Sequence, residues 1–122
     1  MRLLLDTNAL VRWHLKKLRP AAVRTVQRAD LVVVSAISAW EIAIKQAAGK
    51  LELMDRVEDI AARNGFLSLS ATVRHGDLLR DLPRHHPDPF DRLLIVQALD
   101  EGLTILTSDR AFEAYRVPVM WA

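Results

Sequence analysis

Four acids stand where the chain leaves an apolar stretch or enters a helix, and together they could hold a cation and hydrolyse a phosphodiester. Asp6 follows Leu3-Leu4-Leu5 and Asp109 follows Ile105-Leu106-Thr107-Ser108, so each is delivered at the end of a short apolar strand. Glu41 lies in Ser38-Ala39-Trp40-Glu41 at a helix start, and Asp91 falls in the first turn after Asp88-Pro89. Four like charges brought together repel and raise one another's pKa values unless cations neutralise them. Hard oxygen donors suit Mg²⁺ or Mn²⁺, whereas zinc sites usually include His or Cys. A metal held there would activate water and stabilise charge on the phosphodiester, so no side-chain nucleophile is required.

Each acid also has an ordinary structural role. Asp6 and Asp109 could simply cap the helices that follow them. Ser38-x-x-Glu41 reads as a capping box, and Asp88-x-x-Asp91 as a cap pair in a turn where the helix dipole favours any acid. Convergence separates the readings, because strand ends and helix starts meet at one edge of an α/β sheet. Thr107 and Ser38 are the candidates for hydrogen-bonding the acids or their waters; helix capping is their alternative.

Other residue types carry weaker signals. His85-His86-x-Asp88 superficially resembles a metal cluster, but the flanking prolines point to an exposed loop, and neither His14 nor His75 completes a diagnostic spacing. Arg92 and Arg110 adjoin two of the acids and are the candidates for positioning RNA phosphates; pairing with local acids is the alternative. Trp13, Trp40 and Trp121 sit among apolar residues, which favours packing over base stacking.

The elements that must position the acids follow from periodicity and punctuation. Strands are expected at Arg2 to Leu5, Leu31 to Ser35, Phe66 to Leu69, Thr104 to Leu106 and Val117 to Met120. Helices are expected from Thr7 or Asn8 toward Lys17, from Pro20 to Arg28, and from Ser38 to Ala48 before Gly49. Further helices are expected from Asp55 to Asn64 before Gly65, from Ser70 to Leu79, from Pro89 to Leu99 before Gly102, and from Asp109 to Tyr115. This alternation predicts an α/β fold with a mostly parallel sheet covered on both faces, and such sheets bind ligands beyond the carboxyl ends of their strands.

Length and composition narrow the class. With 122 residues, 51% apolar, the chain suits one domain over residues 1–122. It has no cysteine, which removes disulfide and thiolate-metal chemistry and suits a reducing cytoplasm. No apolar run is long enough to span a bilayer, and no signal-peptide pattern follows Met1, so a cytoplasmic, non-membrane protein is expected. A net charge of +2 tolerates a polyanionic ligand without identifying one.

The stretches Leu4-Leu5-Asp6-Thr7-Asn8-Ala9-Leu10, Ser35 to Lys45, Asp88-Pro89-Phe90-Asp91-Arg92-Leu93-Leu94 and Leu106-Thr107-Ser108-Asp109-Arg110 together resemble PIN-domain proteins, specifically VapC-type toxins of bacterial toxin–antitoxin pairs. The resemblance covers nearly the whole chain. It implies a PIN-like three-layer domain whose acids are Asp6, Glu41, Asp91 and Asp109, with Thr107 as the hydroxyl before the last. It further implies a Mg²⁺- or Mn²⁺-dependent endoribonuclease cutting tRNA or rRNA, a homodimer, and a cognate antitoxin through which alone operator DNA is reached. The sequence departs from the family opening at Asn8, where His often stands, and the segment from Asp6 to Ser35 is short and charge-rich.

Two other classes compete. Haloacid-dehalogenase-like phosphatases also place an Asp after their first strand, but they need Asp-x-Asp, and Asp6-Thr7-Asn8 lacks the second acid. A catalytically inactive module, with its acids as caps and its basic faces binding RNA or protein, is the other.

Overall fold

Alternate residues of the first strand belong to different halves of the core. In the computed structural model, which describes residues 1–52 and 54–122, Leu3 and Leu5 pack with Val32 and Val34 on one side. Leu4 packs with Val33 and Ile105 on the other. A strand apolar at every position must be covered on both faces, which is why Leu3, Leu4 and Leu5 are fully buried.

Five strands form the sheet: β1 (Arg2–Leu5), β2 (Leu31–Ser35), β3 (Leu67–Leu69), β4 (Thr104–Thr107) and β5 (Val119–Trp121). Their order is β3-β2-β1-β4-β5, and every described pairing is parallel. The helices are α1 (Thr7–His14), α2 (Pro20–Arg28), α3 (Ala36–Ala47), α4 (Val57–Asn64), α5 (Val73–Leu78) and α6 (Pro89–Glu101). Residues of α1, α2 and α4 cover the Leu3 face, whereas α6 covers the Leu4 face through Leu94, Ile95 and Ala98. The chain builds outward from β1 through β2 to β3, then returns to place β4 on the opposite side of β1. The strand order therefore reverses between β1 and β4, and the crevice beyond their carboxyl ends is where such sheets hold ligands.

Several boundaries differ from the sequence expectation for local reasons. β2 runs straight into α3 with no intervening turn, so α3 begins at Ala36 and its cap is Ser35, which accepts from the Ile37 N–H. The capping box expected at Ser38 and Glu41 is absent; the one described box joins Thr72 to His75 at the start of α5. That helix starts at Val73 rather than Ser70, and the segment after Asp109 is a 3₁₀ turn, Arg110–Ala114. The first helix stops at His14, two residues before Lys16 takes a left-handed φ of 58°. Among the described residues no helix is long and apolar enough to cross a membrane.

Central burial makes a quantitative demand. Replacing Leu4 with Ala should lower unfolding free energy by about 2–5 kcal/mol, the range for emptying a packed core site. Val73→Ala, at a residue 84% exposed, should change it by less than about 0.5 kcal/mol. Urea unfolding of the two variants beside wild type checks this, and equal midpoints for both would contradict the assigned core.

Candidate active site

The acids reach the crevice because local caps orient them. Asp6 leaves β1 as the N-cap of α1, its Oδ1 accepting the Ala9 N–H at 2.7 Å. Asp109 follows β4 and caps the 3₁₀ turn, its Oδ1 accepting the Ala111 N–H at 2.9 Å. At the start of α6 the cap is Asp88, which accepts from the N–H groups of Phe90 and Asp91. Asp88 thus supplies the capping function and releases the Asp91 side chain from it. Glu41, one turn into α3, is buried at 4% exposure.

These four side chains share one electrostatic environment. Burial pushes the Asp6 carboxyl up to about 6, opposed by hydrogen bonds from Thr107 and the Ala9 N–H and reinforced by the charges of Asp109 and Glu41. Burial likewise pushes Asp91 up to about 7, reinforced by Asp88, Asp6 and Glu41, while His86 opposes the rise. Asp109 behaves differently. Partial burial raises it, but hydrogen bonds from His86 and the Ala111 N–H outweigh that and hold it below the usual carboxylate range.

Neutralisation within the chain is incomplete. The Lys45 ammonium lies 2.8 Å from Glu41 Oε2, and that contact raises the Lys45 pKa, with Asp88 and Asp91 adding to it. Glu41 Oε1 is buried with no hydrogen-bond partner among the described residues. An orphaned buried carboxylate oxygen is costly unless another group completes it. Beside it opens a cavity of about 390 Å³ lined by Glu41, Lys45, Lys50, Asp88 and Phe90. A larger cavity of about 580 Å³, lined by Trp13, Leu18, Val23 and Arg63, contains none of the acids. The orphaned Glu41 oxygen, rather than volume, marks the candidate site.

The supporting residues are buried. Thr107 Oγ1 accepts the Asp109 N–H at 3.0 Å, and its hydroxyl favours the charged form of Asp6, so one side chain serves both strand-end acids. Ser38 lies within α3 and accepts a hydrogen bond from the Thr7 hydroxyl at 3.0 Å. The arginines diverge. Arg92 donates to the Leu82 carbonyl at 3.1 Å, and its Nε is buried without a partner among the described residues, so it braces the loop before α6. Arg110 is exposed, pairs with Glu113 at 3.1 Å, and lies 3.9 Å over the Trp121 ring. Trp13 packs on Phe66, as an apolar environment suggests, but Trp40 is 55% exposed and meets Phe90 edge-on.

Histidine is where sequence reasoning missed most. His85 is exposed as expected for a loop, but His86 is buried, and its Nε2 lies 2.7 Å from Asp109 Oδ2 and 3.3 Å from Asp91 Oδ2. The clue was His86-Pro87-Asp88, in which the Asp88 N–H reaches back to His86 Nδ1, but burial depends on Tyr115, 29 residues away. Two groups bring potential ligand atoms within 4.8 Å of one another: His86 with Asp91 and Asp109, and His75 with Asp100 and Glu101. Only the first adjoins the β1–β4 crevice acids. Asp91 and Asp109 thus share a group able to hold a metal ion, whereas Asp6 and Glu41 fall outside it, although the charges of Asp6 and Glu41 raise the Asp91 pKa.

A parallel α/β sheet bearing acids at its switch point defines a PIN-type domain with a carboxylate site. A PIN-domain family model matches residues 3–118, and the chain belongs to that family. It is 27% identical to Ribonuclease VapC22 of Mycobacterium tuberculosis (strain ATCC 25618 / H37Rv), over 94% of this chain and 92% of that protein. The fold is similar to a chain of VapBC2 from Rickettsia felis bound to a promoter DNA fragment, with TM-score 0.73, 16% identity and coverage of 99% and 98%. It is also similar to a chain of a toxin–antitoxin complex from Klebsiella pneumoniae, with TM-score 0.68, 16% identity and coverage of 97% and 95%.

The raised carboxyls make stability depend on pH. An unfolded Asp titrates near about 3.9. The folded, metal-free protein therefore binds more protons than the unfolded chain until pH passes about 6 for Asp6 and about 7 for Asp91. This contribution is fully present below pH 4 and lost as pH rises through 7. In EDTA at pH 8, Asp91→Asn should unfold at higher urea than wild type, and at pH 4 the two should coincide. A variant less stable at pH 8 would contradict the buried charge.

Proposed function

We propose that this chain, as one PIN-like domain over residues 1–122, is a Mg²⁺- or Mn²⁺-dependent endoribonuclease toxin. Asp6, Glu41, Asp91 and Asp109 are the candidate residues to hold the cation. The observation that carries the reading is the Glu41 carboxylate, buried in α3 with one oxygen unpartnered and close enough to Asp6 and Asp91 to raise their pKa values. Bound there, the cation would supply Lewis acidity to the phosphodiester and make water a better nucleophile at neutral pH.

The chain's own groups then have distinct tasks. Thr107 and the Ala9 N–H orient Asp6, and Thr107 also fixes the backbone at Asp109. Ser38 steadies α3 against the Thr7 hydroxyl one residue beyond Asp6. Lys45 offsets the charge of Glu41 and is half-exposed, so it can turn toward an RNA phosphate as the acids acquire a cation. Arg110, exposed beyond β4, is the better placed of the two arginines for a phosphate at the rim; Arg92 is committed to Leu82.

Structured RNA, tRNA or rRNA, is the proposed substrate, and similarity to Ribonuclease VapC22 supports ribonuclease chemistry. The similar folds found in toxin–antitoxin complexes, one on promoter DNA, support a cognate antitoxin, with operator DNA reached only through it. Exposed Trp40 and Ile44 leave apolar surface on α3 available to a homodimer.

Controlled expression with sequencing of RNA ends tests cleavage and target together. Wild type should produce new ends at a restricted set of sites and arrest growth, and the small protein encoded beside it should relieve the arrest. Asp91→Asn should lower those ends by about 100-fold or more, as expected when several kcal/mol of transition-state charge stabilisation are lost. Equal ends from both proteins would contradict the assignment and favour a binding module.

A further inference from the structure

We propose that His86 is a positioning residue of the carboxylate site, donating its Nε2–H to Asp109 and lying against Asp91 rather than joining them as a ligand. The inference rests on reading the acids as a cation site. By distance alone His86 groups with the two acids as a ligand set. Its other nitrogen decides otherwise. Nδ1 accepts the Asp88 N–H at 3.1 Å, so the neutral ring carries its proton on Nε2. Ligation through Nε2 would require a lone pair where that proton sits.

The loop around His86 has little freedom to change this arrangement. The Tyr115 hydroxyl accepts the N–H groups of His85 and His86 at 3.0 and 2.8 Å and donates to the Pro83 carbonyl at 2.9 Å. The His86 ring meets Phe112 edge-on with centroids 5.6 Å apart. Three elements are thereby joined through one imidazole: the loop before α6, the first turn of α6 at Asp91, and the turn after β4 at Asp109.

This division sorts the two acids. Both Asp109 oxygens are engaged, Oδ2 by His86 and Oδ1 by the Ala111 N–H. Asp91 Oδ2 lies 3.3 Å from Nε2, and neither Asp91 carboxylate oxygen has a hydrogen bond among the described residues. His86 thus restrains Asp109 at the edge of the crevice and leaves the Asp91 carboxylate open toward it. A hydrogen-bond donor to coordinating carboxylates characteristically governs affinity without touching the metal.

Two substitutions separate positioning from mere support of the loop. Asn at 86 can still accept the Asp88 N–H but cannot reach the acids, whereas Gln carries an amide N–H to about the place of Nε2. Mn²⁺ binding, followed by electron paramagnetic resonance on the full chain, should weaken about 10–100-fold in His86→Asn and stay within about threefold of wild type in His86→Gln. Long-range ¹H–¹⁵N spectra of the metal-free wild type should show Nε2 protonated and Nδ1 bare. His86→Asn binding like wild type, His86→Gln as weak as His86→Asn, or a proton on Nδ1 would each overturn the proposal. Wild type failing to bind Mn²⁺ at all would instead refute the cation reading of the acids, and the proposal with it.

Discussion

Repulsion among carboxylates withdrawn from water is the constraint on which the rest of this structure turns. Asp6 and Glu41 are almost wholly buried, Asp91 is largely so, and neighbouring carboxylates add to the rise that burial imposes on Asp6 and Asp91. Such a cluster would disperse if its members sat on flexible loops, because separation relieves the repulsion at little cost. Here each acid is fixed by an element with an independent reason to exist. Asp6 and Asp109 cap the segments they open, Asp88 caps α6 on behalf of Asp91, and Glu41 is carried by a helix grown directly out of β2. Packing of Leu3, Leu4 and Leu5 then holds β1 beside β4, so strain at the site is resisted by the central core.

The same arrangement links stability to chemistry. Protonating Asp6 and Asp91 relieves the cluster, Lys45 relieves part of Glu41, and a divalent cation would relieve all of them together. A side chain that is costly in the empty site and stabilising in the loaded one is the signature of a functional residue, because selection for stability alone would replace it with an amide. The fold therefore carries unfavourable electrostatics at one crevice and offsets them through an otherwise regular core.

Much of this was legible in the sequence for a simple reason. An apolar strand that ends in Asp announces itself, and β1 and β4 both do so, while Pro89 and Gly102 bracket α6. Legibility ended where a role depended on distant neighbours. Ser38-x-x-Glu41 matches a capping box locally, but β2 enters α3 without a turn, so Ser35 caps and Glu41 is released to the crevice. Asp88-x-x-Asp91 also reads as a cap pair, and only the backbone N–H directions show that Asp88 alone caps the helix. His86 sits in a proline-flanked segment that reads as solvent-exposed, and its burial under Tyr115 and Phe112 is set by residues beyond β4. Trp40 is the converse case, apolar by context yet exposed, because its side of α3 is turned away from both halves of the core.

The central claim is that burial, reinforced by neighbouring carboxylates, holds protons on Asp6 and Asp91, so loading a cation must expel those protons. Calorimetric titration of the metal-free protein with Mg²⁺, repeated in buffers of different ionisation enthalpy, counts them directly. With Asp6 and Asp91 raised to about 6 and about 7, release should approach one or more protons per chain near pH 6 and vanish near pH 8.5. Saturable binding with no buffer dependence at pH 6, or no saturable binding at either pH, would contradict the account.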